Sequence, residues 1–162
     1  MSEETAREVR RLLTPTDDVN GWLRRVRALD ADEALPLLLA ILGGAQESPG
    51  DRLQAALVLG YLRDPRAVGT LVEAMQAADP VMRAQAAESL GLIGAAEERV
   101  LRQLIQGLND EDYFVRECSA KALGRLGSPE AAPHLERMSA ADPVASNREA
   151  AQRAVESLRG SA

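Results

Sequence analysis

Apolar side chains recur along this chain at the three- and four-residue spacing of amphipathic helices. In the segment 79–111, one apolar stripe consists of Met82, Ala86, Leu90 and Ile93. A second stripe in the same segment consists of Val100, Leu101, Leu104, Ile105 and Leu108. Gly94 separates the two stripes, so the pattern predicts a pair of helices joined by a short turn. The segments on either side repeat this pattern.

The helix pair recurs at a nearly fixed period. The arginines that mark corresponding places are 31, 33 and 32 residues apart, namely Arg52, Arg83, Arg116 and Arg148. Such a period is typical of solenoids, in which each unit buries the apolar face of its neighbour. The predicted units are a capping helix (1–16), a degenerate repeat (17–47), three clear repeats (48–78, 79–111 and 112–141) and a terminal half repeat that serves as a cap (142–162). Together they predict one all-α domain, an α-solenoid of about ten helices.

Residues in the turns support these boundaries. Four pairs of an N-cap residue and a proline precede predicted helices, namely Asp64-Pro65, Asp79-Pro80, Ser128-Pro129 and Asp142-Pro143. Each pair predicts a helix whose first residue is the proline, where the missing N–H costs no hydrogen bond. Pro36 is interpreted similarly, as part of the first turn of a helix that starts near Asp32. In the last unit two polar residues, Gln152 and Glu156, stand at small-residue positions, which predicts that the array ends there.

Composition narrows the class of protein. Hydrophobic residues make up 46% of the chain but aromatic residues only 2%, so Ala, Leu and Val must build a core of closely packed helices. The formal net charge of −6 disfavours nucleic acids and acidic membranes as partners. The single cysteine, Cys118, fits a reducing compartment. The N-terminal residues lack the apolar run of a secretory signal. No stretch reaches the roughly 18 apolar residues of a membrane span. These features predict a soluble cytoplasmic protein.

Residues 79–94 read Asp-x-x-x-Arg-x-x-Ala-Ala-x-x-Leu-Gly-x-Ile-Gly. This motif resembles the HEAT repeat, in the short prokaryotic form first recognised in phycobilisome lyase subunits. The segment 112–127 matches with Ser119 in the first alanine place, and the segment from Ser48 keeps all but the initial Asp and the final Gly. The resemblance covers about residues 18–159 and implies a right-handed superhelix with first helices on the convex side and second helices on the concave side. The family serves lyases, adaptors and assembly factors alike, so the resemblance indicates fold more than function.

The chain departs from the enzymes of this class in its potential catalytic residues. HEAT-class iron hydroxylases carry His-Glu pairs, whereas here the one histidine, His134, is followed by Leu135. DNA glycosylases on related repeats use a basic groove with aromatic and acidic residues, whereas the only tryptophan, Trp22, lies in an apolar stripe. No second histidine or cysteine completes a zinc set with His134 and Cys118, which lie on different predicted helices. No catalytic, cofactor-binding or metal-ligating residue is therefore predicted.

A recurring set of arginines and aspartates has a structural interpretation. The set comprises Arg52, Asp79, Arg83, Asp112, Arg116, Asp142 and Arg148. Each arginine is predicted to pair with an aspartate of an adjacent repeat, near a helix N-terminus that the carboxylate also caps. The alternative is a basic row that binds an anionic partner. The regular recurrence favours the structural interpretation.

The outward positions of the second helices form the candidate binding surface. Alignment of these helices places on it Arg66, Thr70, Glu73, Arg99, Arg102, Gln103, Gln106, His134 and Arg137. Four arginines with neighbouring amide and imidazole donors suit carboxylates or an acidic peptide. The alternative is an ordinary solvated helix face.

These patterns predict a non-catalytic scaffold or adaptor that binds a partner through its concave face, without a cofactor. The expected partner is a protein or an acidic peptide, while nucleic acid and membrane partners are not expected. The expected oligomeric state is a monomer or a weak homodimer. The second hypothesis is an accessory subunit of a bilin-lyase-like or other cofactor-maturation enzyme.

Overall fold

The computed structural model describes residues 2–14 and 16–160. Met1, Pro15, Ser161 and Ala162, which belong to the predicted terminal units, lie outside the described residues. Within the described part there are ten α-helices and no β-strand. Their bounds are α1 Glu3–Leu12, α2 Val19–Ala28, α3 Ala31–Gly43, α4 Pro49–Leu62, α5 Val68–Ala74, α6 Pro80–Ile93, α7 Glu98–Gly107, α8 Tyr113–Leu126, α9 Ala132–Ala141 and α10 Ala145–Gly160. Short 3-10 turns, Pro65–Ala67 and Pro129–Ala131, lead into α5 and α9.

The helices pack in two layers. The first-helix layer contains α2, α4, α6, α8 and α10, each packed against the next. The second-helix layer contains α1, α3, α5, α7 and α9. Helices α3, α5, α7 and α9 each pack on the first helix of the following unit, so the core runs between the layers along the whole array. The predicted all-α solenoid is thereby confirmed.

Small residues bring the first helices close together. A Cβ atom placed on Gly91 would lie 2.8 Å from the Cα and Cβ atoms of Ala122 on the next first helix. The same contact joins Gly60 to Ser89 and Gly124 to Ala154, at 2.8 and 2.9 Å between the placed and the facing Cβ atoms. A glycine is thus required at each step because any side chain there would collide with the neighbouring helix.

The structure corrects the start of the last helix. Asp79 and Asp112 accept hydrogen bonds from backbone N–H groups of α6 and α8, as N-caps do. Helix α10 begins at Ala145, two residues later than the Asp142-Pro143 pair predicts. In the observed register Asp142 therefore corresponds to Asp110, and Val144 takes the capping place. The Asp142-Pro143 pair resembles the pairs that start other helices, but Pro143 lies two residues before the first residue of α10.

Pro36 is a second correction. Because α3 begins at Ala31, Pro36 is its sixth residue and lies beyond the first turn. A residue at that place would ordinarily donate its N–H to the carbonyl of Asp32, so the proline removes one intrahelical hydrogen bond. The helix nevertheless continues to Gly43, because the apolar face of α3 is buried against its neighbours.

The part of the chain that the structure describes has no helix with both the length and the apolar character that crossing a membrane requires.

Candidate partner-binding surface

Two largely buried ion pairs join successive turns at the candidate surface. The Arg83 guanidinium donates to both Asp110 carboxylate oxygens, with Nε–Oδ2 and Nη2–Oδ1 distances of 2.9 and 2.8 Å. Its remaining nitrogen, Nη1, donates to the carbonyls of Ala77 and Ala78, at 3.0 Å each. Each such arginine therefore fixes the turn before its own helix and attaches it to the turn of the next repeat.

Arg116 repeats this arrangement one unit later. Its Nε donates to Oδ2 of Asp142 at 2.7 Å, and its Nη1 donates to the carbonyls of Asp110 and Glu111. The side chains of Arg83 and Arg116 are each only 12% exposed. Burial by itself would raise the pKa of the Asp110 and Asp142 carboxyls, but hydrogen bonds from the arginines and from backbone N–H groups outweigh it and lower both pKa values.

Only some of the predicted pairs between the recurring arginines and aspartates form in the structure. Arg116 contacts the predicted Asp142, but Arg83 contacts Asp110, because Asp112 is engaged in capping α8. Arg52 donates through Nε to the carbonyl of Leu42 at 2.9 Å and has no carboxylate partner in the described residues. Of the remaining members, Asp79 caps α6, and Arg148 donates to the carbonyls of Asp142 and Pro143.

Three of the four arginines on the candidate surface already have carboxylate partners. Nη2 of Arg66 lies 2.6 Å from Oδ2 of Asp64 and 2.8 Å from Oδ1 of Asp32. For the other two, the shortest nitrogen–oxygen distances are 2.7 Å for Arg99 to Glu97 and 3.7 Å for Arg102 to Glu98. The predicted cluster of four available arginines is therefore a row of mostly compensated charges.

Arg137 differs from these three arginines. Among the described residues it forms no ion pair and no side-chain hydrogen bond. The neighbouring carboxylate on the same helix, Glu136, instead accepts a hydrogen bond from Nη2 of Arg159 at 2.9 Å. Arg137 is exposed and lies three residues after the half-buried His134, so both side chains lie on one face of α9.

Two equivalent cavities open where successive second helices end. The middle groove, about 360 Å³, is lined by Met75, Gln76, Ala77, Arg83, Gln103, Gln106, Gly107, Asn109 and Asp110. The C-terminal groove, about 290 Å³, is lined by Leu108, Asn109, Arg116, His134, Arg137, Met138, Ala141, Asp142 and Pro143. Each groove contains one of the two buried ion pairs. His134 and Arg137 occupy in the C-terminal groove the places that Gln103 and Gln106 occupy in the middle one.

The structure thus brings four of the nine predicted surface residues into the two grooves. The other five, which line neither groove, are Arg66, Thr70, Glu73, Arg99 and Arg102. Sequence reasoning missed Asn109, which lines both grooves, and Asp110, the partner of Arg83. The spacing could have identified Asp110, because it precedes Arg116 by six residues, as Asp142 precedes Arg148.

A third cavity lies in the first-helix layer, between α2 and α4. It measures about 220 Å³ and is lined by Thr14, Thr16, Val19, Trp22, Leu23, Gln54, Leu57 and Tyr61. The Trp22 and Tyr61 rings meet edge to face with centroids 5.5 Å apart, and Nε1 of Trp22 donates to the carbonyl of Leu12 at 3.1 Å. These contacts fix Trp22 as part of the core and leave Tyr61 at the cavity rim.

The cysteine side chain is buried. Cys118 lies inside α8, and desolvation raises the pKa of its thiol to about 12. The described residues contain no group of three or more histidine, cysteine, aspartate or glutamate side chains placed to hold a metal ion.

Comparison with family models places the repeats in a known group. A model described as HEAT repeats matches residues 35–104 and 94–156. The two matched ranges together span α4 to α9 completely and most of α3 and α10.

Curated relatives match a little over half of the chain. Deoxyhypusine hydroxylase of Neurospora crassa is 38% identical over 97 residues, covering 58% of this chain and 30% of that protein. Phycocyanobilin lyase subunit alpha of Synechococcus elongatus is 36% identical over 105 residues, covering 59% and 38%. The corresponding subunit of Picosynechococcus is 34% identical over 101 residues, covering 57% and 37%. The matched part thus spans about a third of the length of these relatives.

Solved structures share the fold. A chain in the complex of CpcE and CpcF of phycocyanin lyase from Nostoc superposes with a TM-score of 0.76 at 20% identity, over 93% of this chain and 96% of that one. Human deoxyhypusine hydroxylase in complex with glycerol superposes with a TM-score of 0.51 at 14% identity, over 98% and 96%. At these identities the similarity establishes the helical-repeat architecture and leaves the activity open.

Proposed function

Because the chain belongs to the HEAT-repeat family, we propose that it is a scaffold or adaptor without catalytic activity of its own, which binds a partner protein on its second-helix layer. The observation that carries this proposal is the repetition of one groove at two successive places along that layer. Grooves that recur at the repeat spacing offer an extended partner several equivalent contacts, which is how repeat proteins bind.

The chemistry of the grooves supports binding in preference to catalysis. The side chains that line them and are free to meet a partner are amides, an imidazole and a guanidinium, all of which donate hydrogen bonds. The buried ion pairs hold the groove floors in place and are themselves fully used. The raised pKa of Cys118 keeps its thiol protonated at neutral pH, which argues against a thiolate nucleophile. As the only cysteine, it also accords with a cytoplasmic location.

A co-purification experiment with matched charge reversals tests this function. Arg102 and Arg137 are exposed on the second-helix layer, whereas Lys121 and Arg153 are exposed on the first-helix layer. We expect one protein to co-purify in comparable molar amount with the tagged wild type from its source cells, and to be lost with Arg102→Glu/Arg137→Glu. The control Lys121→Glu/Arg153→Glu should retain it. Equal recovery with both variants, or no such protein with the wild type, would refute binding through this face.

The second candidate function is an accessory subunit of a lyase-type enzyme. The similarity to phycocyanobilin lyase subunits and to a chain of a phycocyanin lyase complex favours it. This function and the adaptor function both require a protein partner, but only the lyase-type function requires a prosthetic group. Visible absorbance of the co-purified complex would favour the lyase-type subunit, and a colourless complex would favour the adaptor.

A further inference from the structure

We propose that the C-terminal groove binds a carboxylate side chain of an acidic, partly apolar segment of the partner, whereas the middle groove has no preference for a carboxylate. This inference rests on the proposed function and specifies the partner chemistry at one position of the same surface. It depends on the difference between two grooves that are otherwise equivalent in position and in their buried ion pair.

The ion pair contributes little net charge to either groove. Arg116 and Asp142 neutralise each other in the C-terminal groove, as Arg83 and Asp110 do in the middle one, where the exposed Glu111 also lies 3.7 Å from Nη2 of Arg83. Asp142 also accepts a hydrogen bond from the N–H of Val144 at 2.9 Å, so its carboxylate is fully engaged. The residue that decides the local charge of the C-terminal groove is therefore Arg137.

Arg137 is available to a ligand without breaking an existing ion pair. Arg66 and Arg99 each lie within 2.8 Å of a carboxylate two residues earlier in the chain, which an incoming anion would have to displace. The nearest sequence neighbour that could compete for Arg137, Glu136, is engaged by Arg159. A carboxylate that reaches Arg137 consequently gains a charge-assisted hydrogen bond without losing an equivalent one.

The lining of the C-terminal groove also defines the rest of the ligand. His134 supplies a further donor group on the same lining, as does Asn109, whose Nδ2 also donates to the carbonyl of Ile105 at 3.4 Å. Leu108, Met138 and Ala141 supply apolar surface on the same lining. A partner segment that places an apolar side chain next to a glutamate matches both kinds of lining residue. The apolar side chain would cover Leu108, Met138 and Ala141, while the carboxylate would reach Arg137 on α9. The negative charge of such a segment complements Arg137, whose positive charge disfavours a basic occupant.

The middle groove provides a control within the same molecule. Gln103 and Gln106 can donate hydrogen bonds but carry no charge, so this groove should not prefer a glutamate side chain to a glutamine side chain. Glu73 occupies on α5 the place that Gln106 occupies on α7, and would compensate an arginine introduced at 106. Transfer of carboxylate selectivity to this groove therefore requires three substitutions, Glu73→Gln/Gln103→His/Gln106→Arg.

NMR titration of the purified chain with short peptides tests the inference. The probe is an acetylated, amidated tetrapeptide that contains one leucine and one glutamate, and the control probe has glutamine in place of glutamate. We expect saturable shifts of backbone amides around Asn109 and Arg137 with the first probe. The control probe, or the first probe added to His134→Gln/Arg137→Gln, should bind about tenfold more weakly. The triple substitution in the middle groove should produce new shifts around position 106.

Each outcome decides for or against the carboxylate site. Shifts that are absent, equal for both probes, unchanged in His134→Gln/Arg137→Gln, or centred on Arg66, Arg99 or Arg102 would overturn it. Unchanged circular dichroism and melting temperature confirm that the double variant is folded. Because the peptide assay needs no natural partner, its failure leaves the scaffold proposal standing. Conversely, peptide binding without a co-purifying protein would refute the scaffold alone.

Discussion

The regular part of the array, α4 to α10, and the N-terminal unit, α1 to α3, achieve the same two-layer packing by different means. In the regular part each first helix presents a glycine to a small residue of the next, and arginines join successive turns. Between α2 and α4 the contact is made by bulky residues, Trp22 and Tyr61, beside an apolar cavity. Close backbone approach thus stabilises the regular part, whereas side-chain bulk stabilises the N-terminal unit.

The largest change in stability is expected when one glycine from each region is substituted and the two variants are compared. Gly91→Leu would place a side chain against the backbone of Ala122, and we expect it to lower the free energy of unfolding by about 3 kcal/mol or more. A Cβ atom placed on Gly43, at the end of α3, meets no atom within 4 Å, so Gly43→Leu should change the free energy of unfolding by less than about 0.5 kcal/mol. Urea unfolding measures both. Equal effects of the two substitutions would contradict the tight packing at Gly91.

The next test compares two arginines at corresponding places. Arg116→Met leaves the buried Asp142 without its partner, so we expect a loss of about 2–3 kcal/mol in the free energy of unfolding. Arg52→Met removes one hydrogen bond, to the carbonyl of Leu42, and should cost only about 1 kcal/mol. Methionine keeps much of the apolar volume in both variants. A loss for Arg52→Met as large as that for Arg116→Met would show that the carboxylate pairing adds nothing.

Smaller effects are expected on how the free energy of unfolding changes at acid pH. The pKa of Asp142 is lower in the folded than in the unfolded chain, so its contribution to stability is present above the ordinary value of 3.8 and is lost as the pH falls through the folded pKa. Asp142→Asn should therefore flatten the decline of stability below pH 3.8. Thermal melts over that pH range measure it. A decline as steep as that of the wild type would contradict the linkage.

The N-terminal unit offers the matching acid measurement. Hydrogen bonds from Thr5 and Ser2 lower the pKa of Glu33 to about 2. Because Glu33 is only partly buried, water screens these interactions and Glu33→Gln should flatten the acid decline less than Asp142→Asn does. The reverse order would indicate that the N-terminal unit, and not the arginine-joined turns, controls acid unfolding.

The fold could be predicted from the sequence because the period and the apolar stripes are local and repeated. Two local predictions were wrong because packing and side-chain partners outweighed the local sequence signal. Asp142 precedes a proline and looked like an N-cap, although its carboxylate serves Arg116 and α10 starts at Ala145. Pro36 was predicted to lie in the first turn of its helix, but it is the sixth residue of α3, and burial of the face of α3 outweighs the one lost hydrogen bond.

The binding surface was less predictable than the fold. Helical periodicity assigns Arg66, Arg99 and Arg137 to one face but contains no information about which arginines already have a carboxylate partner. That depends on the direction of the carboxylate side chains in the turns before α5 and α7, where Asp64 and Glu97 lie. The grooves likewise depend on how far apart successive second helices end, which is a property of tertiary packing.

The glycine contact between first helices has a consequence for how such arrays change in length. Because Gly60, Gly91 and Gly124 each meet a small residue at the same place of the following unit, these three junctions share one glycine contact. Duplication or deletion of a whole unit would therefore keep this glycine contact at the new junction. Insertion of a single residue within a first helix would instead rotate the glycine away from its counterpart, so growth of the array is confined to complete repeats.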